Sequence, residues 1–182
     1  MVVSGRSFDL SAAVAAGNDD AIVAMIREAS DPGVPQRPSA QDVRTLLVDT
    51  RSNRVRNAAA VALADLRADG AAEDIVTLLR SPAAASSAGT LLFALDELGA
   101  SLPLDVLLTI IEHGSYEARS EALSFLAEHR LAVEDDADLP DIRDRLDALA
   151  SAPDLDTSRA ATEARERLRP YLDRGRSPGT SP

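Results

Sequence analysis

The chain of 182 residues has no cysteine, no lysine and no tryptophan, and its aromatics amount to 3%. The missing cysteine excludes disulfides and thiolate metal sites, and it agrees with a reducing cytoplasm. No apolar run approaches the roughly 18 residues that a membrane-spanning helix needs. Residues 1–10 carry neither the basic patch nor the apolar stretch of a signal peptide, so a soluble cytoplasmic protein with no membrane contact is expected. Few aromatics and few β-branched alternations argue against a sheet, and they leave little to stack on nucleic-acid bases.

All 19 basic residues are arginine, and Asp outnumbers Glu 20 to 10, for a net charge of −11. Arginine and alanine without lysine is the imprint of a GC-rich coding sequence. An Asp-rich surface also suits a salt-adapted cytoplasm, where screening relieves self-repulsion. The charge is uneven: residues 114–157 carry a net −8, whereas 158–182 carry +3.

What the chain has in abundance is Ala and Leu at spacings of three and four, the helical period. The spacing predicts helices at about 8–16, 19–30, 40–49, 54–68, 71–80, 84–98, 103–113, 116–129, 139–151 and 158–172. Asn18, Ser39, Ser115 and Asp138 fit as N-caps, with Ser39–Asp42 and Asp138–Asp141 spaced like capping boxes. Gly17, Gly70, Gly99 and Gly114 sit where helices would end in a left-handed residue, and Pro103 fits a first turn. Residues 31–38 form a three-proline connector, 131–138 an acidic loop and 174–182 a disordered tail.

The helices repeat. Leu63, Leu66, Ile75, Leu78 and Leu79 recur 32 residues on as Leu95, Leu98, Leu107, Ile110 and Ile111. At an offset of 63, Arg56, Ala59 and Leu63 match Arg119, Ala122 and Leu126. The middle copy departs from this pattern, with Ala88 for the arginine and Leu91 for the small residue. The unit Val55-Arg56-x-x-Ala59-x-x-x-Leu63, followed by a Leu-rich second helix, resembles the short bacterial and archaeal members of the HEAT-repeat family. The resemblance covers residues 50–130. It implies an all-α fold, a right-handed α-solenoid of stacked antiparallel helix pairs, as one domain over residues 1–173. Residues 1–49 would then be an atypical cap and 131–173 a last repeat. Small residues such as Ala59, Ala62 and Ala122 would let the helices approach closely. Solvent-facing positions of the second helices would be Asp74 and Val106, Thr77 and Thr109, and Arg80 and Glu112.

Solenoids of this kind mostly bind macromolecules, so the expectation is a non-catalytic protein-interaction module with no cofactor. The candidate partner-binding region is Glu134, Asp135, Asp136, Asp138, Asp141, Asp144 and Asp147, which suits a basic protein partner. The same carboxylates also read as helix-start charges favoured by the macrodipole, or as weak metal ligands. As a calcium loop they fail, because Leu139 stands where glycine is needed and Arg145 where a bidentate glutamate is needed. His113 and His129 are the only histidines, and both fit helix C-termini better than a catalytic dyad with Ser115 or Ser124. Arg165, Arg167, Arg169, Arg174 and Arg176 have the charge to meet phosphates, but the chain's net charge opposes nucleic acid at long range. Phe93, Phe125 and Tyr116 fit core or rim positions, and an exposed one would serve as a partner anchor. The alternatives implied by fold resemblance are a subunit like the HEAT-type phycobilin lyases, or a nucleic-acid-associated HEAT protein.

Overall fold

The computed structural model describes residues 10–29, 31, 33, 37–85, 87–128, 131–132 and 139–173. Among these the chain is all-α. The helices are α1 (Leu10–Ala15), α2 (Asp19–Glu28), α3 (Ala40–Asp49), α4 (Asn53–Asp65), α5 (Ala71–Leu79), α6 (Pro82–Ala85), α7 (Gly89–Glu97), α8 (Leu104–His113), α9 (Tyr116–Ala127), α10 (Leu139–Ala150) and α11 (Leu155–Leu172). Two dipeptides, β1 (Leu102–Pro103) and β2 (Leu131–Ala132), pair in parallel with Leu102 opposite Leu131. Contacts divide the chain into two compact units, one up to Ile75 and one from Val76.

Side-chain caps start α2, α3, α4, α9 and α11 by satisfying orphan N–H groups. Asn18 accepts from the Ala21 N–H at 3.1 Å. Ser39 and Asp42 form a reciprocal capping box, with Asp42 accepting from the Ser39 N–H at 2.9 Å and Ser39 from the Asp42 N–H at 3.2 Å. Ser115 caps α9 through the Ala118 N–H. Asp138 lies outside the described residues. Two caps were not expected, Ser52 on α4 and Asp154 on α11. Asp154 accepts from the Thr157 N–H at 2.9 Å, which starts α11 at Leu155, earlier than the sequence pattern suggests.

The helix ends differ from expectation in instructive ways. Gly99 ends α7 at φ 68°, with Ala100 N–H donating back to the Leu95 carbonyl. Thirty-two residues earlier, Ala68 N–H donates to the Leu63 carbonyl in the same way, but the left-handed residue is Arg67 at φ 46°. Gly70 is left-handed too (φ 76°), yet it sits just before α5 and does not end α4. Gly114 is not left-handed: its φ is −73°. Glycine is needed there for closeness, since a Cβ would lie 2.4 Å from the Ile110 carbonyl oxygen. Pro103 is the N-cap residue of α8 and precedes its first turn.

The helix expected over 84–98 is broken into α6 and α7. After α6, Ser87 and Ala88 donate to Ala84 and Ala85 in tight three-residue turns before Leu92 resumes helical bonding to Ala88. Poor helix formers Ser87 and Gly89 flank an Ala88 that has no side chain to cap with. The break falls where the repeat pattern lapses.

In the first unit α1 packs on α2, α3 on α4, and α2 on α4. Ala59 and Ala60 are fully buried, as are Ile26, Leu47 and Leu63 from the three helices that pack there. The starts of α2 and α4 lie together, with the Ser52 hydroxyl donating to Asp19 at 2.6 Å and Arg54 pairing with Asp20 at 2.5 Å. Arg44 of α3 pairs with Asp74 of α5 at 2.6 Å.

In the second unit α7 packs on α9 and α9 on α11, while α8 packs on α10. Leu95, Leu107, Leu108, Ile110 and Ile111 are fully buried, and Phe125 (1% exposed) is another of the large buried side chains. Of the repeated apolar positions, only Leu66, Leu78 and Leu98 are half-buried. One expected surface position is corrected: Val106 is fully buried. Packing of α6, α9, α10 and α11 onto α8 leaves that helix little solvent-facing side. Thr77, Arg80 and Glu112 are exposed, while Asp74 and Thr109 are half-buried.

Candidate interaction surface on the last helices

Of the acidic region, Glu134, Asp135, Asp136 and Asp138 lie outside the described residues. Asp141, Asp144 and Asp147 are all exposed on α10, three residues apart, so each neighbours the next on the helix surface. They are not equivalent. Asp147 accepts from Arg165 of α11 at 2.9 Å. Asp141 and Asp144 have no ion pair with another described residue. The arginines of the same helix turn elsewhere: Arg143 donates to the Leu172 carbonyl at the end of α11, and Arg145 pairs with Glu112 of α8 at 3.5 Å. Thus α10 directs its positive charge into the fold and leaves Asp141 and Asp144 facing water.

The basic group on α11 is likewise neutralised. Arg167 pairs with Glu163 at 2.6 Å and also donates to the Leu123 carbonyl of α9 at 2.8 Å. Arg169 lies 3.7 Å from Asp173. With Arg165 held by Asp147, a phosphate would have to displace an existing partner from each. Arg174 and Arg176 are outside the described residues.

His113 is the last residue of α8, half exposed, with Nε2 at 3.7 Å from Glu112. Ser115 caps α9, and the nearby Glu117 carboxyl is held below its usual range first by its own backbone N–H and then by Ser115. The Ser124 hydroxyl donates to the Ser120 carbonyl. Neither serine is bonded to His113. His129 lies outside the described residues. Among the described residues no three His, Asp or Glu side chains converge as metal ligands would, and no helix is long and apolar enough to cross a membrane.

Two arginines that the repeat marks, without disclosing their role, turn out to be locks. Arg119 donates from Nε to the Ile111 carbonyl at 2.9 Å and from an outer nitrogen to the Thr157 hydroxyl at 2.7 Å. It also lies 3.6 Å from Asp154. One side chain thereby closes the end of α8 and holds the start of α11. Sixty-three residues earlier, Arg56 donates to the Thr50 carbonyl, at the end of α3, at 2.9 Å. Both reach back from the first turns of one helix to the orphan carbonyls of the helix before it. Arg56 Nε is buried without a partner, where Arg119 Nε has the Ile111 carbonyl. Asp154 is held below the usual carboxylate range by the Thr157 hydroxyl, then by the Thr157 N–H, with the Arg119 charge adding to both.

Comparison of the chain with protein-family models, with curated proteins and with solved structures yields no match.

Proposed function

We propose that the chain is a non-catalytic protein-docking module, built as a HEAT-like solenoid of stacked helix pairs, that offers the outer side of α10 to a basic protein surface. The observation that carries the reading is the division of charge on α10. Asp141 and Asp144 are exposed and unpaired among the described residues, while Arg143 and Arg145 are bonded to neighbouring helices. Exposed carboxylates held on a rigid helix lose little freedom on meeting an arginine or lysine surface, and they steer its approach.

The stacked architecture is supported by recurrence. The same helix-ending bond appears at Ala68 and Ala100, and the same arginine lock at Arg56 and Arg119. Within the second unit, α7, α9 and α11 follow one another in contact, with α8 against α10 beside them. Stacked pairs bury their apolar stripes against each other and leave outer faces to partners.

The test is crosslinking capture from the source cell followed by reconstitution with the purified partner, using the native chain and a chain with Asp141, Asp144 and Asp147 changed to Asn. A basic partner whose complex is weakened by the changes, and by added salt, supports the reading. A complex indifferent to both rejects it.

A further inference from the structure

A second surface lies between α9 and α11, and its chemistry is different. A groove of about 250 Å³ there is lined by Tyr116, Arg119, Ser120, Leu123, Asp156, Arg159, Ala160 and Glu163. Leu123 and Ala160 form a floor that is 8% and 6% exposed, while Tyr116 stands on the rim at 70% exposed. Arg119 at the start of α9 reaches Thr157 at the start of α11, and Arg167 further along α11 reaches Leu123 further along α9. The two helices therefore run in the same direction, and their positive N-terminal ends flank one end of the groove.

The charges in the groove are unevenly satisfied. Glu163 is paired with Arg167, and Arg119 is bonded to Ile111 and Thr157. Asp156 lies in the first turn of α11, where the helix dipole favours a carboxylate. Arg159 has no hydrogen bond or ion pair with any described residue, and it is exposed. It is thus an unneutralised cation beside two helix N-termini, next to an apolar floor and an exposed aromatic ring. Exposed Tyr and Arg over a preformed floor are the residue types that dominate binding energy at interfaces. Beyond the groove the exposed face of α11 runs on from Arg159 and Glu163 past Thr162 and Glu166. The groove is open to solvent along its side, which suits a peptide segment better than an enclosed small molecule.

We infer that the groove between α9 and α11 docks a partner peptide that sets an acidic side chain on Arg159 and an apolar side chain against Tyr116 and Leu123. A carboxylate meets the planar fork of the guanidinium in a bidentate pair, while the neighbouring apolar group covers the floor. The occupant is opposite in charge to the one proposed for α10, so the two surfaces are separable by mutation.

The experiment is panning of a random peptide library displayed on phage against the full chain, then fluorescence anisotropy with a labelled synthetic peptide of the enriched consensus. An enriched pattern of Asp or Glu beside Leu, Ile or Phe is expected, with binding weakened about tenfold or more in Arg159→Glu and severalfold in Tyr116→Ala. Arg159→Lys should retain part of the affinity, and a chain carrying Asp141→Asn and Asp144→Asn should bind as the native chain does. Circular dichroism of each variant confirms folding, and Tyr116→Ala serves should Arg159→Glu not fold. No enrichment, a basic consensus, or binding indifferent to Arg159→Glu and Tyr116→Ala would overturn the proposal. Binding lost with the α10 changes alone would overturn it too, and would assign the peptide to that other face.

Discussion

Exchanging the left-handed residues that end α4 and α7 should move stability in opposite directions. Arg67 and Gly99 occupy the same place 32 residues apart, each followed by a residue that donates to the leucine carbonyl five positions back. Arg67 holds φ 46°, a conformation that costs an L-residue with a Cβ about 1–2 kcal/mol. Its side chain is exposed and has no bond to a described residue, so trimming it loses almost nothing in the folded state. Glycine would remove the strain but enlarge the unfolded ensemble, which offsets roughly 0.5–1 kcal/mol. Arg67→Gly should therefore stabilise by about 0.5–1 kcal/mol, and Gly99→Ala should destabilise by about the same amount. A Cβ at Gly99 meets nothing within 4 Å, so the second effect is backbone strain without a clash. Urea denaturation followed by circular dichroism reads both, and thermal melts should shift by roughly 2–4 °C per kcal/mol for a chain of this size. Destabilisation by Arg67→Gly, or a neutral Gly99→Ala, would refute the equivalence of the two helix ends.

Gly114→Ala should also destabilise, but through contact, because its backbone is unstrained and the new Cβ would meet the Ile110 carbonyl at 2.4 Å; a crystal structure of the variant should show the α8–α9 turn displaced. Leu95→Ala, at a fully buried repeat position, should cost about 2–5 kcal/mol in chemical denaturation, and an unchanged midpoint would contradict the packing. Asp154 supplies a pH test. Its folded pKa is lowered by Thr157 and Arg119, so its contribution is present above the unfolded value of about 3.9 and is lost as pH falls through the folded value. The stability gap between the native chain and Asp154→Asn should be constant from pH 7 to pH 5 and shrink under stronger acid; a gap that widens on acidification would reverse the sign.

The helical period made most of the fold legible. Ala40–Asp49 was readable to the residue, because Ser39 and Asp42 mark its start and Val43, Leu46 and Leu47 at helical spacing mark its buried face. The break between α6 and α7 was hidden by alanines, which score as helix whether or not the chain turns between them. Burial of Val106 was also invisible, since it follows from the α6 turn and the neighbouring helices closing over α8, a tertiary effect that spacing does not encode. The repeat pointed to Arg56 and Arg119, but spacing records that a residue recurs and not which carbonyl it reaches. For the acidic stretch, composition gave the sign of the charge. Only the structure distinguishes Asp147, neutralised by Arg165, from Asp141 and Asp144, which are not. The groove at Arg159 had no sequence signal beyond a basic last helix, because it needs two helices to form.

The proposed role of α10 is to receive a basic protein partner on its outer carboxylates. Its most direct measurement is the Kd of the purified complex by titration calorimetry, for the native chain and for Asp141→Asn with Asp144→Asn, at low and high salt. Two exposed charge pairs at roughly 0.2–1 kcal/mol each predict a loss of about 2- to 30-fold at low salt that narrows as salt rises. Equal Kd values for the two chains at both salt concentrations would contradict docking through these carboxylates.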